Sequence, residues 1–164
     1  MVIDHSKRIP VADEYVHALG RATYNFAYLE WSIIWLGEAL QKGFIESAKK
    51  LTAGKIAKQF ISICDKIPKT VPQQTKLVKL AERFGELVVE RDKLIHGNPY
   101  TAVGGEQRLR YDGRHGLEDW TISMMKEFSS NLAQASYIAS ELLYSGLYQD
   151  YLGSLGHPPI SPDK

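Results

Sequence analysis

Apolar residues recur at helical spacing over four long stretches of the chain. In the first, Leu19, Phe26, Ile33 and Leu40 fall on one face, as the 3.6-residue period requires. A helix is predicted over about residues 12–41, entered after Pro10 and with the Asp13 anion in its first turn. Tyr24, Tyr28, Trp31 and Trp35 form a second stripe in steps of three and four. A helix apolar on more than one face is buried on more than one side. Either it lies centrally in its own bundle or a second copy of the chain covers it, and Tyr and Trp favour interfaces. A homodimer is the reading preferred.

A second helix is expected over about residues 52–66, with Thr52 as N-cap and a stop before Pro68. A third runs over about 73–96, where Gly97 is placed for a left-handed cap and Pro99 bars continuation. Gly104-Gly105 between two short alternating runs signals a hairpin over about 100–111. Its period of two puts Arg108 and Arg110 on one face and Leu109 and Tyr111 on the other. The fourth helix covers about 121–148, with Met125, Phe128, Leu132, Ala135, Ala139 and Leu142 as its stripe. The fold class is therefore all-α: an up-and-down bundle of four main helices with a small β-hairpin between the third and fourth. Residues 1–152 form one domain, and 153–164, rich in proline and glycine, form a disordered tail.

Composition narrows the function classes. The chain has 164 residues, 44% hydrophobic and 24% charged, with a formal net charge of +1. Bulk charge gives no pull toward nucleic acid or membrane, so any such binding comes from a local patch. No signal-peptide core or membrane-spanning run is visible, and a single cysteine, Cys64, excludes an internal disulfide. A cytoplasmic location is expected. Cys64 lies in an apolar run and reads as a small buried hydrophobe.

Charges that interrupt the stripes carry more information. Glu30 stands in the apolar line Phe26, Ile33, Gly37, and Arg91 in the line Phe84, Val88, Ile95. Neither should be buried alone, so the two can pair if the stripes face each other. Asp92 and His96 lie on adjacent turns, where a carboxylate can fix an imidazole tautomer. Arg91 and His96 are separated by about 140° and about 7.5 Å along the helix, yet can border one groove at its end. Simpler roles stay open: His96 as a cap on helix carbonyls, Arg91 as half of a structural ion pair.

The run Arg91-Asp92-Lys93-Leu94-Ile95-His96, at the end of a long helix and followed by a short excursion and a last long helix, resembles the Arg-(Asn, His or Asp)-x-x-x-His signature of the HEPN superfamily. Leu29-Glu30-Trp31 looks like part of the first helix of such proteins, and the resemblance spans about residues 12–148. It implies a helical bundle that dimerises, with Arg91 and His96 of both protomers lining one cleft that cuts RNA without metal. Asp92 is the polar motif residue and Glu30 a supporting one. In one toxin subfamily a modifiable Tyr follows the His one residue on; here that position is Asn98, and Tyr100 lies further along. Asp92 stands where Asn is commoner, and some members of the superfamily do not cleave RNA.

The implied chemistry is coherent. RNA supplies its own 2′-hydroxyl nucleophile, a histidine can move the proton, and a guanidinium can stabilise the phosphate. Lys93, Asn98, Arg108, Arg110 and Arg114 are the candidate RNA contacts, although Arg108 and Arg110 equally fit an edge strand guarded by charge. The five histidines are scattered without ligand spacing, so no metal and no cofactor is expected. The expectation is a metal-independent endoribonuclease of toxin or phage-defence type. Its alternatives are a non-catalytic binding or dimerisation module, or the helical partner of an antitoxin-type nucleotidyltransferase.

Overall fold

The computed structural model describes residues 11–113 and 116–146. The predicted tail, Arg114 and the last residues of the fourth predicted helix lie outside them. Among the described residues the fold is mainly helical, with five α-helices and one small sheet: α1 (Asp13–Leu40), α2 (Phe44–Ala48), α3 (Ala53–Asp65), α4 (Gln74–His96), β1 (Asn98–Thr101), β2 (Gln107–Gly113), β3 (Gly116–Trp120) and α5 (Ile122–Glu141). Among the described residues, no helix is long and apolar enough to cross a membrane.

The apolar stripes form the core. Phe26, Leu29 and Ile33 of α1, Phe60 and Cys64 of α3, Leu77 and Phe84 of α4, and Met125 and Leu132 of α5 are all buried. Phe26 stacks on Phe84 with ring centroids 6.3 Å apart. Burying a ring of this kind contributes about 1.5–3 kcal/mol, so this contact between α1 and α4 is one of the anchors of the domain.

The short helix α2 is additional to the predicted elements. Gly43 turns the chain with φ of 89°, a conformation open to glycine at no steric cost. The Glu38 carboxylate accepts hydrogen bonds from the backbone N–H groups of Gly43 and Ile45, each 2.9 Å. Burial acts to raise the Glu38 pKa, but those N–H groups outweigh it and hold the carboxyl below its usual range. Phe44 then lies against Gly37, where a Cβ would come within 2.3 Å of the ring.

The predicted hairpin is two strands of a three-stranded antiparallel meander in the order β1-β2-β3. Its Gly-Gly turn is present, with Gly105 at φ of 84°. β3 escaped the sequence pattern because Glu118 and Asp119 interrupt the apolar alternation between Leu117 and Trp120. Cross-strand pairing explains those charges: Asp119 sits opposite Arg110. The inner face carries Leu109 and Trp120, directly paired and both buried. Trp120 meets Phe128 of α5 edge to face at 5.5 Å. Arg108 and Arg110 therefore lie on the central strand, not on an edge.

Two predicted caps differ from expectation. Thr52 occupies the N-cap of α3 but its side chain makes no cap hydrogen bond. Gly97 is extended, with φ of −67° and ψ of 144°, not left-handed. Its glycine is required by space: a Cβ would meet the Lys93 carbonyl oxygen at 2.9 Å and Leu109 Cβ at 3.1 Å. The chain leaves α4 directly into β1, so the helix end and the sheet are pressed together there.

Candidate functional site

The end of α4 carries the motif. Arg91 is half-buried, its guanidinium carbon 5.0 Å from the centre of the Phe26 ring, a cation–π distance. Its Nη1 donates to Asp92 Oδ1 at 3.0 Å. The Arg91 and Asp92 side chains retain 32% and 49% of their accessibility, so the guanidinium is oriented by the ring and the carboxylate yet still reaches solvent.

Glu30 is half-buried on α1, as its place in the stripe requires. Burial pushes its carboxyl pKa up, and the nearby Arg91 charge pulls it partly back. The predicted Glu30–Arg91 pairing is thus realised at electrostatic range only: the ion-pair partner of Arg91 is Asp92. Glu30 instead borders, with Trp31 and Ile34, a recess of about 170 Å³.

His96 is exposed, in the last turn of α4. Among the described residues its imidazole has no hydrogen-bond partner, so it neither caps the helix carbonyls nor binds Asp92. Asp92, engaged by Arg91, does not fix its tautomer. Asn98 is exposed at the start of β1, opposite Arg110.

Three of the candidate RNA contacts, Lys93, Arg108 and Arg110, are engaged by carboxylates. Lys93 Nζ bridges Glu90 and Glu118, each at 3.0 Å. Burial acts against the Lys93 charge, but the two glutamates outweigh it and raise its pKa. Arg108 bonds Glu106 at 2.6 and 2.9 Å. Arg110 grips Asp119 through Nε at 2.8 Å and Nη2 at 3.1 Å, and its guanidinium lies 4.3 Å from the centre of the Tyr100 ring. The Tyr100 hydroxyl donates to Asp119 and accepts from Arg110. The Arg110 hydrogen bonds, and then that of Tyr100, hold the Asp119 carboxyl down at about 2. Arg114 lies outside the described residues.

Sequence reasoning missed Phe26, Tyr100, Glu118 and Asp119 as partners of these cations. Phe26 was legible as core but not as a platform, since only the packing of α1 against α4 puts it under Arg91. Tyr100 is the register partner of Arg108 in the predicted hairpin, a usable signal. Glu118 and Asp119 gave none without β3.

Tyr24, Tyr28, Trp31 and Trp35 form an exposed stripe on α1, each 48% or more accessible. They are not the second buried face of a central helix within one chain. Val89 and Ile95 of α4 are likewise exposed. Among the described residues, no group of three or more His, Cys, Asp or Glu side chains is placed to hold a metal ion. No protein-family model matches the chain, and comparison with curated proteins and with solved structures gives no significant match.

Proposed function

We propose that the protein is a HEPN-like, metal-independent endoribonuclease of toxin or phage-defence type, acting in the cytoplasm as a homodimer with a shared cleft. The observation that carries this reading is the state of the motif: His96 stands exposed, without a hydrogen-bond partner among the described residues, five residues along the helix from an Arg91 held in orientation by Phe26 and Asp92. A histidine spent on capping would be engaged with carbonyls; an unengaged one is available for proton transfer.

In this reading α1, α3, α4 and α5 are the up-and-down bundle of such proteins. One His96 takes the proton from an RNA 2′-hydroxyl. That oxygen attacks the adjacent phosphorus, forming a cyclic phosphate, and the partner's His96 protonates the departing 5′-oxygen. Arg91 stabilises the charge of the five-coordinate phosphate. The exposed aromatic stripe on α1 and Val89 and Ile95 on α4 provide the apolar surface for pairing. Exposed apolar surface in a continuous stripe, as on α1, marks interaction sites.

A second reading is favoured by one specific observation. Lys93, Arg108 and Arg110 are each bound to carboxylates, which leaves less free positive charge for a phosphate backbone than a ribonuclease groove uses. A non-catalytic binding module, or a helical partner of an antitoxin-type nucleotidyltransferase docked on the aromatic stripe, fits that feature.

Incubating mixed-sequence RNA with wild-type protein and with His96→Ala, both in chelator, separates the readings. Cleavage by the wild type alone supports the enzyme. No cleavage, or equal cleavage by both, moves the assignment to the binding module.

A further inference from the structure

On the flank of α1 against α5 lies a groove of about 370 Å³. That is within the size range of small-ligand sites. His17, Arg21 and Asn25 follow one another at i, i+4 spacing along α1, so they line one wall. Lys126 and Ser130 repeat the spacing on α5 and line the other. Ala18 and Ala133, both small, complete the lining.

The groove is fixed in place and biased toward anions. Asn25 Nδ2 donates to both the Ser129 carbonyl oxygen (3.0 Å) and Ser129 Oγ (2.9 Å), tying α1 to α5 at this level. The Ser129 hydroxyl is therefore an acceptor from Asn25, and its own hydrogen has no acceptor among the described residues. Ser129 is buried and lines the groove, so its hydroxyl is a donor available at the wall. Arg21 is exposed and forms no ion pair among the described residues. Lys126 Nζ is paired with Glu14 at 2.6 Å, but both side chains are more than half exposed. An ion pair of that kind is weak and readily exchanged.

We propose that this groove binds a phosphate group, held by the Arg21 fork, the Lys126 ammonium released from Glu14, and hydrogen bonds from His17 and Ser129. A tetrahedral oxyanion with several acceptors matches a planar guanidinium, a point charge and a hydroxyl converging from two walls. The phosphate can belong to a mononucleotide or to an RNA strand. The site lies on the α5 flank of α1 and uses none of Arg91, Asp92 or His96, so it does not rest on the ribonuclease reading.

The test is a nuclear magnetic resonance titration of 15N-labelled full-length protein with inorganic phosphate, adenosine monophosphate and a short oligouridylate, against chloride at matched ionic strength. Saturable shifts centred on His17, Arg21, Asn25 and Ser130 are expected. Arg21→Gln and Lys126→Gln should each weaken binding by about tenfold or more, while Arg21→Lys retains part of it. Both side chains project from exposed positions, and an unchanged spectrum outside the groove verifies that the variants fold. Shifts with the monophosphate place a free nucleotide in the groove; shifts with the oligonucleotide alone place a strand there. The His96→Ala protein should bind as the wild type does, whatever its effect on cleavage. Absence of a saturable shift with all three probes, or shifts indifferent to Arg21 and Lys126, overturns the proposal.

Discussion

Replacing Gly97 tests how the motif helix is joined to the sheet. Its backbone angles suit any L residue, so a substitution carries no dihedral strain and its whole cost is steric. An alanine Cβ would sit 2.9 Å from the Lys93 carbonyl oxygen and 3.1 Å from Leu109 Cβ. Both neighbours are held, the first by the helix and the second by the buried face of β2, so neither yields freely. Overpacking of this kind costs about 1–3 kcal/mol. Losing glycine's freedom in the unfolded chain returns about 0.4–1 kcal/mol. The net loss for Gly97→Ala centres on about 1.3 kcal/mol and is at most about 2.6 kcal/mol. For a chain of 164 residues the central value lowers Tm by roughly 3–5 °C. Gly97→Asn separates two explanations of the glycine. At a left-handed cap, asparagine is tolerated better than alanine. Under close approach its larger side chain is worse. Thermal melts followed by circular dichroism should therefore rank wild type above Gly97→Ala and Gly97→Ala above Gly97→Asn. Full stability of the alanine variant, or asparagine above alanine, refutes the steric argument.

Three further outcomes follow from buried or paired titrating groups. The Cys64 thiol, pushed up to about 12 by burial and by the neighbouring Asp65 charge, should resist a disulfide reagent at pH 8 and react once the protein is unfolded in denaturant; rapid native reaction would contradict the buried assignment. Glu30 has a raised carboxyl pKa in the fold, so its stabilising contribution is fully present below the ordinary carboxylate range and is lost as pH rises through the raised value. Glu30→Gln should accordingly raise Tm at neutral pH, with the gain disappearing in acid; a loss at neutral pH would contradict this. Asp119 is the opposite case: with its pKa depressed from 3.8 to about 2, it stabilises above the ordinary range and loses that effect as pH falls toward 2. Melts of Asp119→Asn should show a deficit at neutral pH that closes in acid, and a pH-independent difference would show that Asp119 acts through packing alone.

The long helices were legible because their stripes obey one period over many turns, and Phe26, Ile33, Phe84, Met125 and Leu132 are buried as that period requires. What escaped was set by contacts between distant segments. α2 depends on Glu38 capping a turn beyond the end of α1, and Phe44 finding the gap at Gly37. β3 reads as polar because its charges answer Lys93 and Arg110 from other elements. At the candidate site, Arg91, Asp92 and His96 were legible from spacing, and Glu30 from its break in the stripe. The sequence could not tell which carboxylate Arg91 takes, because Asp92 and Glu30 both lie within reach of its long side chain. The same limit hid the Lys93–Glu118 and Arg110–Asp119 pairs, whose proximity only the sheet creates, whereas Glu90 and Glu106 lie three and two residues from Lys93 and Arg108 along the chain.

The second stripe on α1 shows a different kind of ambiguity. Its spacing announced an apolar face without saying what covers it, and the face proves to be exposed in the single chain. A covering partner is consistent with the dimer proposed above, since the stripe is continuous over three turns of one helix.

The most direct measurement of the proposed activity compares two substrates of one sequence, one RNA and one DNA, cut by the protein in chelator with the fragment ends identified. If His96 and Arg91 drive attack by the 2′-hydroxyl, the RNA is cleaved to products ending in cyclic phosphate and the DNA is untouched. Cleavage of the DNA, or an RNA left intact by wild-type protein, would contradict it.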